Sequence, residues 1–201
     1  MLTDRRTILK GTLALPFITV TGQPAMANIY NVIDAFDRPH PTASNGNDWE
    51  LVSDTVMGGV SNGTITRRQV NDRTAVQMQG DVRLENNGGF IQMALDLGPN
   101  QGAIDASRWD GIAINVLGNT QEYNIHLRTT DIKRPWQSYR QSFTAKADWQ
   151  TLKLPFANFT NHRIDAPLDL TGLRRIGIVA IGRAFRADIA LSDIRLYKDT
   201  A

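Results

Sequence analysis

The sequence predicts an all-β sandwich, and three observations carry that expectation. From Asp48 onward apolar and polar residues alternate in short runs, the period of a strand with one buried face. Clusters of Gly, Asn, Asp and Pro, the residues that turn a chain, separate those runs. No window shows a long 3.6-residue apolar repeat, so helices have no amphipathic face with which to pack. With 201 residues, 41% of them hydrophobic and 21% charged, the chain is long enough and apolar enough for one domain with a substantial core.

Taken in order, residues 28–47 are a lead-in of strand or loop, and Arg38 to Asn47, with Pro39, Pro41 and several small polar residues, reads as loop. Residues 48–201 form the sandwich. Val76, Met78, Val82 and Leu84 alternate with Gln77, Gln79, Asp81 and Arg83, which gives one apolar and one polar face, with Gly80 on the apolar side. Ile91, Met93, Leu95 and Leu97 repeat the pattern against Gln92 and Asp96. Tyr123, Ile125 and Leu127 repeat it against Glu122, Asn124, His126 and Arg128. Ile112 to Leu117 and Ile176 to Ile181 are nearly continuous apolar runs, as expected of central strands covered on both faces. Near the end, Ile189 and Leu191 share one parity while Ile194 and Leu196 share the other, and a β-bulge at Ser192-Asp193 would restore their facing. About ten strands in one sandwich result.

The amino terminus reads as an address. Arg5 and Arg6, followed by Thr7, Ile8, Leu9 and Lys10, resemble the twin-arginine export signal. Gly11 to Val20 is an apolar run broken by Pro16, well short of the ~20 residues that span a bilayer. Ala25-Met26-Ala27 supplies the small-x-small pattern of a signal-peptidase site, so residues 1–27 are expected to be a leader and the mature chain a periplasmic protein without a transmembrane segment. Asp4 beside the arginines argues against a mitochondrial transit peptide, which avoids acids.

Charge and composition exclude several function classes. Arg5, Arg6 and Lys10 against Asp4 account for the whole net charge of +2, so the body is formally neutral and lacks the field that a general nucleic-acid or anionic-membrane binder requires. Cysteine is absent, which removes disulfides, thiolate metal sites and cysteine nucleophiles.

Candidate chemistry is sparse. Gly59-Val60-Ser61-Asn62-Gly63 has the spacing of a hydrolase nucleophile elbow, but that elbow needs a helix after the serine, and Thr64-Ile65-Thr66 reads as a strand. A glycine-rich structural turn is expected instead, with a positive φ at Gly58, Gly59 or Gly63. On that expectation Gly59→Val lowers stability and Ser61→Ala changes it little. Val60 occupies the middle glycine position of a dinucleotide fingerprint, and His40, His126 and His162 lie far apart, reading as three unrelated polar histidines. Calcium ligands have no readable spacing outside an EF-hand loop. No cofactor and no metal is expected.

The most suggestive feature is a polar strand face carrying Asn124, His126 and Arg128, followed by Trp136 and Arg140. Amide, guanidinium and aromatic groups together suit a sugar or another polyhydroxylated or acidic ligand, because rings stack on apolar faces and forked donors bind oxygens. Trp136, Ser138 and Arg140 share one strand parity and Tyr139 the other, so only one set can line the same groove.

The stretch containing Trp49, Asp54, Met57, Gly58, Gly59, Ser61 and Gly63 resembles the complex I intermediate-associated protein 30 family, with DTVMGGVSNG as its most specific element. Gly88-Gly89-Phe90, Asp110-Gly111-Ile112, Tyr123, the stretch from Trp136 to Phe143, Trp149, Leu154-Pro155-Phe156 and Phe159 follow in the family's order. The resemblance implies a jelly-roll β-sandwich of the galactose-binding-like kind and a non-catalytic role in assembling a respiratory complex. The leading expectation is therefore a periplasmic binding or assembly-factor module that contacts a protein complex, respiratory or envelope, or a glycan. The alternative is a hydrolase, using Ser61 or a pair of acids such as Asp54 and Glu85. A third possibility is a purely structural envelope protein.

Overall fold

In the computed structural model the described residues are 29–199; the expected leader over residues 1–27 lies outside them. Alternation becomes strand along the chain: β1 (Ile29–Asp34), β2 (Glu50–Ser53), β3 (Asn62–Val70), β4 (Arg73–Val82), β5 (Phe90–Asp96) and β6 (Gly111–Gly118). The second half supplies β7 (Gln121–Thr129), β8 (Ser138–Ala145), β9 (Gln150–Pro155), β10 (Thr160–His162), β11 (Leu173–Ile181) and β12 (Phe185–Lys198). Two sheets form, β3-β4-β12-β6-β9 with β1 added along β12, and β10-β8-β7-β11-β5-β2. Every pairing is antiparallel, and neighbours in a sheet are often distant in sequence, so the fold is a jelly-roll β-sandwich.

The core lies between the sheets. Met78, Ile91, Met93, Leu95, Ile112, Ile114, Ile125 and Leu127 are fully buried there, together with Tyr123 and Tyr139. Tyr123 keeps its hydroxyl satisfied: it donates to Asn119 Oδ1 at 2.7 Å and accepts from the Asp188 N–H at 2.9 Å. The two continuous apolar runs become β6 and β11, each paired on both sides. The predicted bulge is present. The β12–β6 register shifts between Leu191 and Asp193, which is why Ile189, Leu191, Ile194 and Leu196 are all buried despite their opposite parities.

Three sequence expectations need correction. There are twelve strands among the described residues; β2 and β10 are so short that an alternating pattern has no room to register. The segment expected as a lead-in contributes β1, which pairs with β12 and belongs to the sandwich. Leu84, expected on the apolar face, is 50% exposed, because β4 ends at Val82 and the chain turns away from the sheet.

Candidate functional site

The family-like motif builds a sealed polar knot. Asp54 opens a short 3-10 turn, Asp54–Met57, which Gly58 terminates at φ 90°, a conformation glycine adopts without strain. The Asp54 carboxylate, fully buried, accepts the Ser61 N–H at 3.0 Å, the Ser61 hydroxyl at 2.5 Å, the Gly89 N–H at 2.5 Å and the Phe90 N–H at 3.3 Å. Burial pushes its pKa up, but the hydrogen bonds from Ser61, Gly89 and Phe90 outweigh burial and hold it below the ordinary carboxylate value. A β-carbon at Gly59 would overlap the Asp54 carboxyl, so that glycine is there for close approach. Gly63 faces Gly80 across β3 and β4, where a β-carbon would meet Gln79 O at 3.1 Å.

Ser61 is 1% exposed, and the Arg83 N–H donates to its oxygen at 2.9 Å. The serine thus bridges the motif to the end of β4, and the expectation that Ser61→Ala is almost neutral is corrected: a buried hydroxyl with these partners is structural. The acids of the alternative hydrolase pair differ in the same way. Asp54 is sealed, and Glu85 is committed to Arg83 at the surface. Trp49 belongs to a second knot: its Nε1–H donates to Asp34 Oδ2 at 2.8 Å, Arg67 pairs with the same carboxylate at 3.1 Å, and the indole stacks on Phe36.

The polar face behaves differently. Tyr123, Ile125 and Leu127 point into the core, so His126 and Arg128 are displayed on the outer face of the second sheet. Register aligns them with their neighbours. His126 stands opposite Arg140 on β8 and Gly177 on β11, while Arg128 stands opposite Arg175, which is itself opposite Asp96 on β5. A β-carbon at Gly177 would meet Gln92 Nε2 at 2.6 Å, so the glycine lets the Gln92 side chain lie across the sheet there. An open groove of about 580 Å³ runs over this face.

The groove brings together His126, Arg128, Trp136 and Arg140 and leaves out Asn124. Asn124 shares the strand face, but it stands opposite Ser142 and accepts that hydroxyl at 3.3 Å, beyond the lining. Tyr139, of the other parity, is buried and donates to Ala166 O and Pro167 O. Sequence reasoning missed His162, Arg163, Arg174 and Arg175, all of which line the groove. His162 ends the three-residue edge strand β10, which carried no readable signal. Arg174 and Arg175 are consecutive, and alternation forbids two neighbours on one face; a register shift between Leu173 and Arg175 lifts that restriction. Two of the three histidines, His126 and His162, share the groove while His40 lies outside its lining, and among the described residues no group of three or more His, Cys, Asp or Glu could hold a metal ion.

The electrostatics of the groove are unbalanced. Arg175 is matched by Asp96 at 2.9 Å and Glu50 at 2.6 Å, and these bonds raise its pKa against the effect of burial. Arg128, Arg140, Arg163 and Arg174 form no ion pair among the described residues. Burial, then Arg174 and Arg175, lowers the pKa of Arg128; burial, then Arg163, lowers that of Arg140. His126 is pushed down to about 3 by burial, with Arg140, His162 and Arg128 adding to it, and stays neutral at physiological pH. His126 Nε2, Arg128 Nε and Arg174 Nε are buried without a hydrogen-bond partner.

The architecture has counterparts among solved structures. The family 11 carbohydrate-binding module of a cellulosomal cellulase of Clostridium thermocellum superposes with a TM-score of 0.66 at 15% identity, over 86% of this chain and 96% of that one. A second structure of the family 11 module from Clostridium thermocellum, in complex with a β-1,3-1,4-mixed-linked tetrasaccharide, gives 0.66 at 14% identity over 87% and 98%. The family 30 module of a cellulosomal cellulase of the same organism gives 0.56 at 15% identity over 88% and 100%. At these identities the likeness establishes the fold. No curated protein sequence matches the chain at a significant level. The family model for complex I intermediate-associated protein 30 matches residues 36–192, most of the sandwich, and the chain belongs to that family.

Proposed function

We propose that the protein is a non-catalytic binding module, exported to the periplasm, that holds a glycan in the groove on the outer face of its second sheet. The observation that carries this is the set of groove arginines without an ion pair among the described residues, Arg128, Arg140 and Arg174, beside an exposed tryptophan, Trp136. Forked guanidinium donors suit hydroxyl and carboxylate oxygens, and an exposed ring offers a surface for a sugar face. The likeness to carbohydrate-binding modules, one of them in complex with a tetrasaccharide, supports the choice of ligand class.

Titration of the full chain with neutral and acidic oligosaccharides, followed by calorimetry and tryptophan fluorescence, tests it. Saturable binding that weakens in Trp136→Ala is the expected outcome; no response to any oligosaccharide sinks it. The family's description favours a second reading, in which the occupant is a segment of a protein complex. Photocrosslinkers placed at Gln92 and Arg163 in cells would capture a protein under the second reading and none under the first. Export rests on Arg5 and Arg6: the Arg5→Lys/Arg6→Lys double variant keeps the charge, loses the guanidinium forks, and is expected to accumulate uncleaved in the cytoplasm. Normal periplasmic levels of that variant would remove the export claim.

A further inference from the structure

The groove is polarised along its strands, and the polarity specifies more than a generic glycan. At one end the cross-strand pairs are Arg128 with Arg175 and His126 with Arg140. Farther along the same strands, the face on β11, β5 and β2 changes to Val179, Val52, Ile181 and Phe90, and the registers place Val179 opposite Gln92 and Ile181 opposite Phe90. A ligand lying across both regions meets guanidinium groups with one part of its length and apolar side chains with the other.

The basic end carries uncompensated charge. Arg175 has Glu50 and Asp96, whereas Arg128, Arg140 and Arg174 have no carboxylate partner and are partly withdrawn from water. Like charges held together in a partly dry site are unfavourable unless an anion completes them. Guanidinium groups only donate. His126, 9% exposed with Nε2 unpartnered, is the exception among these side chains, since a neutral imidazole both donates and accepts. A site of donor forks suits a group presenting a carboxylate, which takes the guanidinium N–H groups, while the neutral imidazole beside them adds no further positive charge.

We propose that the His126–Arg128–Arg140 end of the groove is a carboxylate subsite and that the ligand is an acidic oligosaccharide containing uronic acid residues, whose ring faces lie toward Val52, Ile181 and Phe90. This rests on the proposed glycan-binding function. A groove of about 580 Å³ is larger than a single inorganic anion requires and has room for an oligomer.

The test keeps linkage and ring constant and changes only the carboxyl. Oligomers of galacturonate, glucuronate, mannuronate and guluronate are titrated into the full chain by calorimetry, each beside the same oligomer with its carboxyls reduced to alcohols. At least one uronate is expected to bind tenfold or more tighter than its reduced form, with affinity falling as salt is raised. Arg128→Gln and Arg140→Gln are each expected to lose fivefold or more of uronate affinity and less of the affinity for the reduced oligomer, so that the preference for acid over reduced form falls. Equal binding of acid and reduced forms, insensitive to both variants, overturns the carboxylate subsite and leaves glycan binding standing. Inorganic phosphate that competes with the uronate at equal concentration overturns it in favour of a free-anion site. No binding of any oligomer by wild-type protein with a cooperative melting transition overturns both. The comparison of acid with reduced oligomer on the wild type needs no variant, so misfolding of either variant leaves the answer intact.

Discussion

The Asp54 knot and the Arg128 groove each gather charged and polar side chains around a nearly buried group, yet they end in opposite states. At Asp54 both carboxylate oxygens are met: the Ser61 N–H donates to one, and the Ser61 hydroxyl and the Gly89 and Phe90 N–H groups donate to the other. In the groove, His126 Nε2 and Arg128 Nε face no partner, and the nearest acceptors to the Arg128 guanidinium, the carbonyls of Arg134 and Pro135, stand at 3.4 and 3.5 Å, at the limit of a hydrogen bond. The difference separates structure from function more cleanly than motif spacing does. The segment that looks most like a catalytic signature in sequence is the one that is chemically closed, whereas the arginines, which look ordinary in sequence, are the ones left open.

The largest expected effect is at the closed site. Asp54→Ala removes one acceptor from a hydroxyl and several backbone N–H groups at once and is expected to destabilise the fold by about 4 kcal/mol, measured by chemical denaturation. A loss below about 1 kcal/mol would mean that water replaces the carboxylate and the knot is not sealed. Ser61→Ala follows, with an expected loss of about 2 kcal/mol and no change in ligand affinity. If the alanine variant instead melted like the wild type while losing a ligand or an activity, the two sites would have to exchange roles.

Titration sharpens the comparison, because the two sites respond to acid in different windows. The pKa of His126 lies at about 3 in the fold against an ordinary value of 6.5, so over that interval the unfolded chain binds a proton that the folded chain does not. Its neutral-state stability is therefore fully present above about pH 6.5 and is lost as pH falls toward 3, at a slope of up to about 1.4 kcal/mol per pH unit. His162, also lowered by burial and by Arg140 and Arg163, acts in the same direction. Asp54 is lowered from 3.8, and its contribution is present above that value and lost only in stronger acid. His126→Gln is expected to flatten the stability profile between pH 6 and pH 4, read by thermal melts; an unchanged slope would show that the imidazole is not held neutral. The smallest effect on stability is expected at Arg128→Ala, within about 0.5 kcal/mol of wild type, since the side chain has no ion pair to lose and its removal relieves repulsion from Arg174 and Arg175. A loss of about 2 kcal/mol there would make the groove a structural network like the Asp54 knot.

What the sequence determined was whatever depends on neighbours along the chain. Period-2 alternation places Tyr123, Ile125 and Leu127 inside and His126 and Arg128 outside, because successive β-carbons point to opposite faces. The parity break between Leu191 and Ile194 requires a bulge for the same reason, and the register shift is found there. The tertiary structure alone decided which strands pair, since antiparallel order in a jelly roll joins segments far apart in sequence and register depends on the whole core. For that reason Arg140 could be placed beside His126 only by the β7–β8 pairing, Trp136 joins them from the turn before β8 and not from a strand, and Asn124, of the correct parity, falls outside the groove. Arg174 and Arg175 enter it through a register shift that alternation cannot encode, and His162 through an edge strand too short to show a period. Ser61, read from the sequence as a tolerant turn residue, is fixed by the Asp54 carboxylate and by the Arg83 N–H, which reaches it from elsewhere in the chain. Satisfaction of a buried hydrogen bond is a property of where both partners end up, and only the folded chain brings them together.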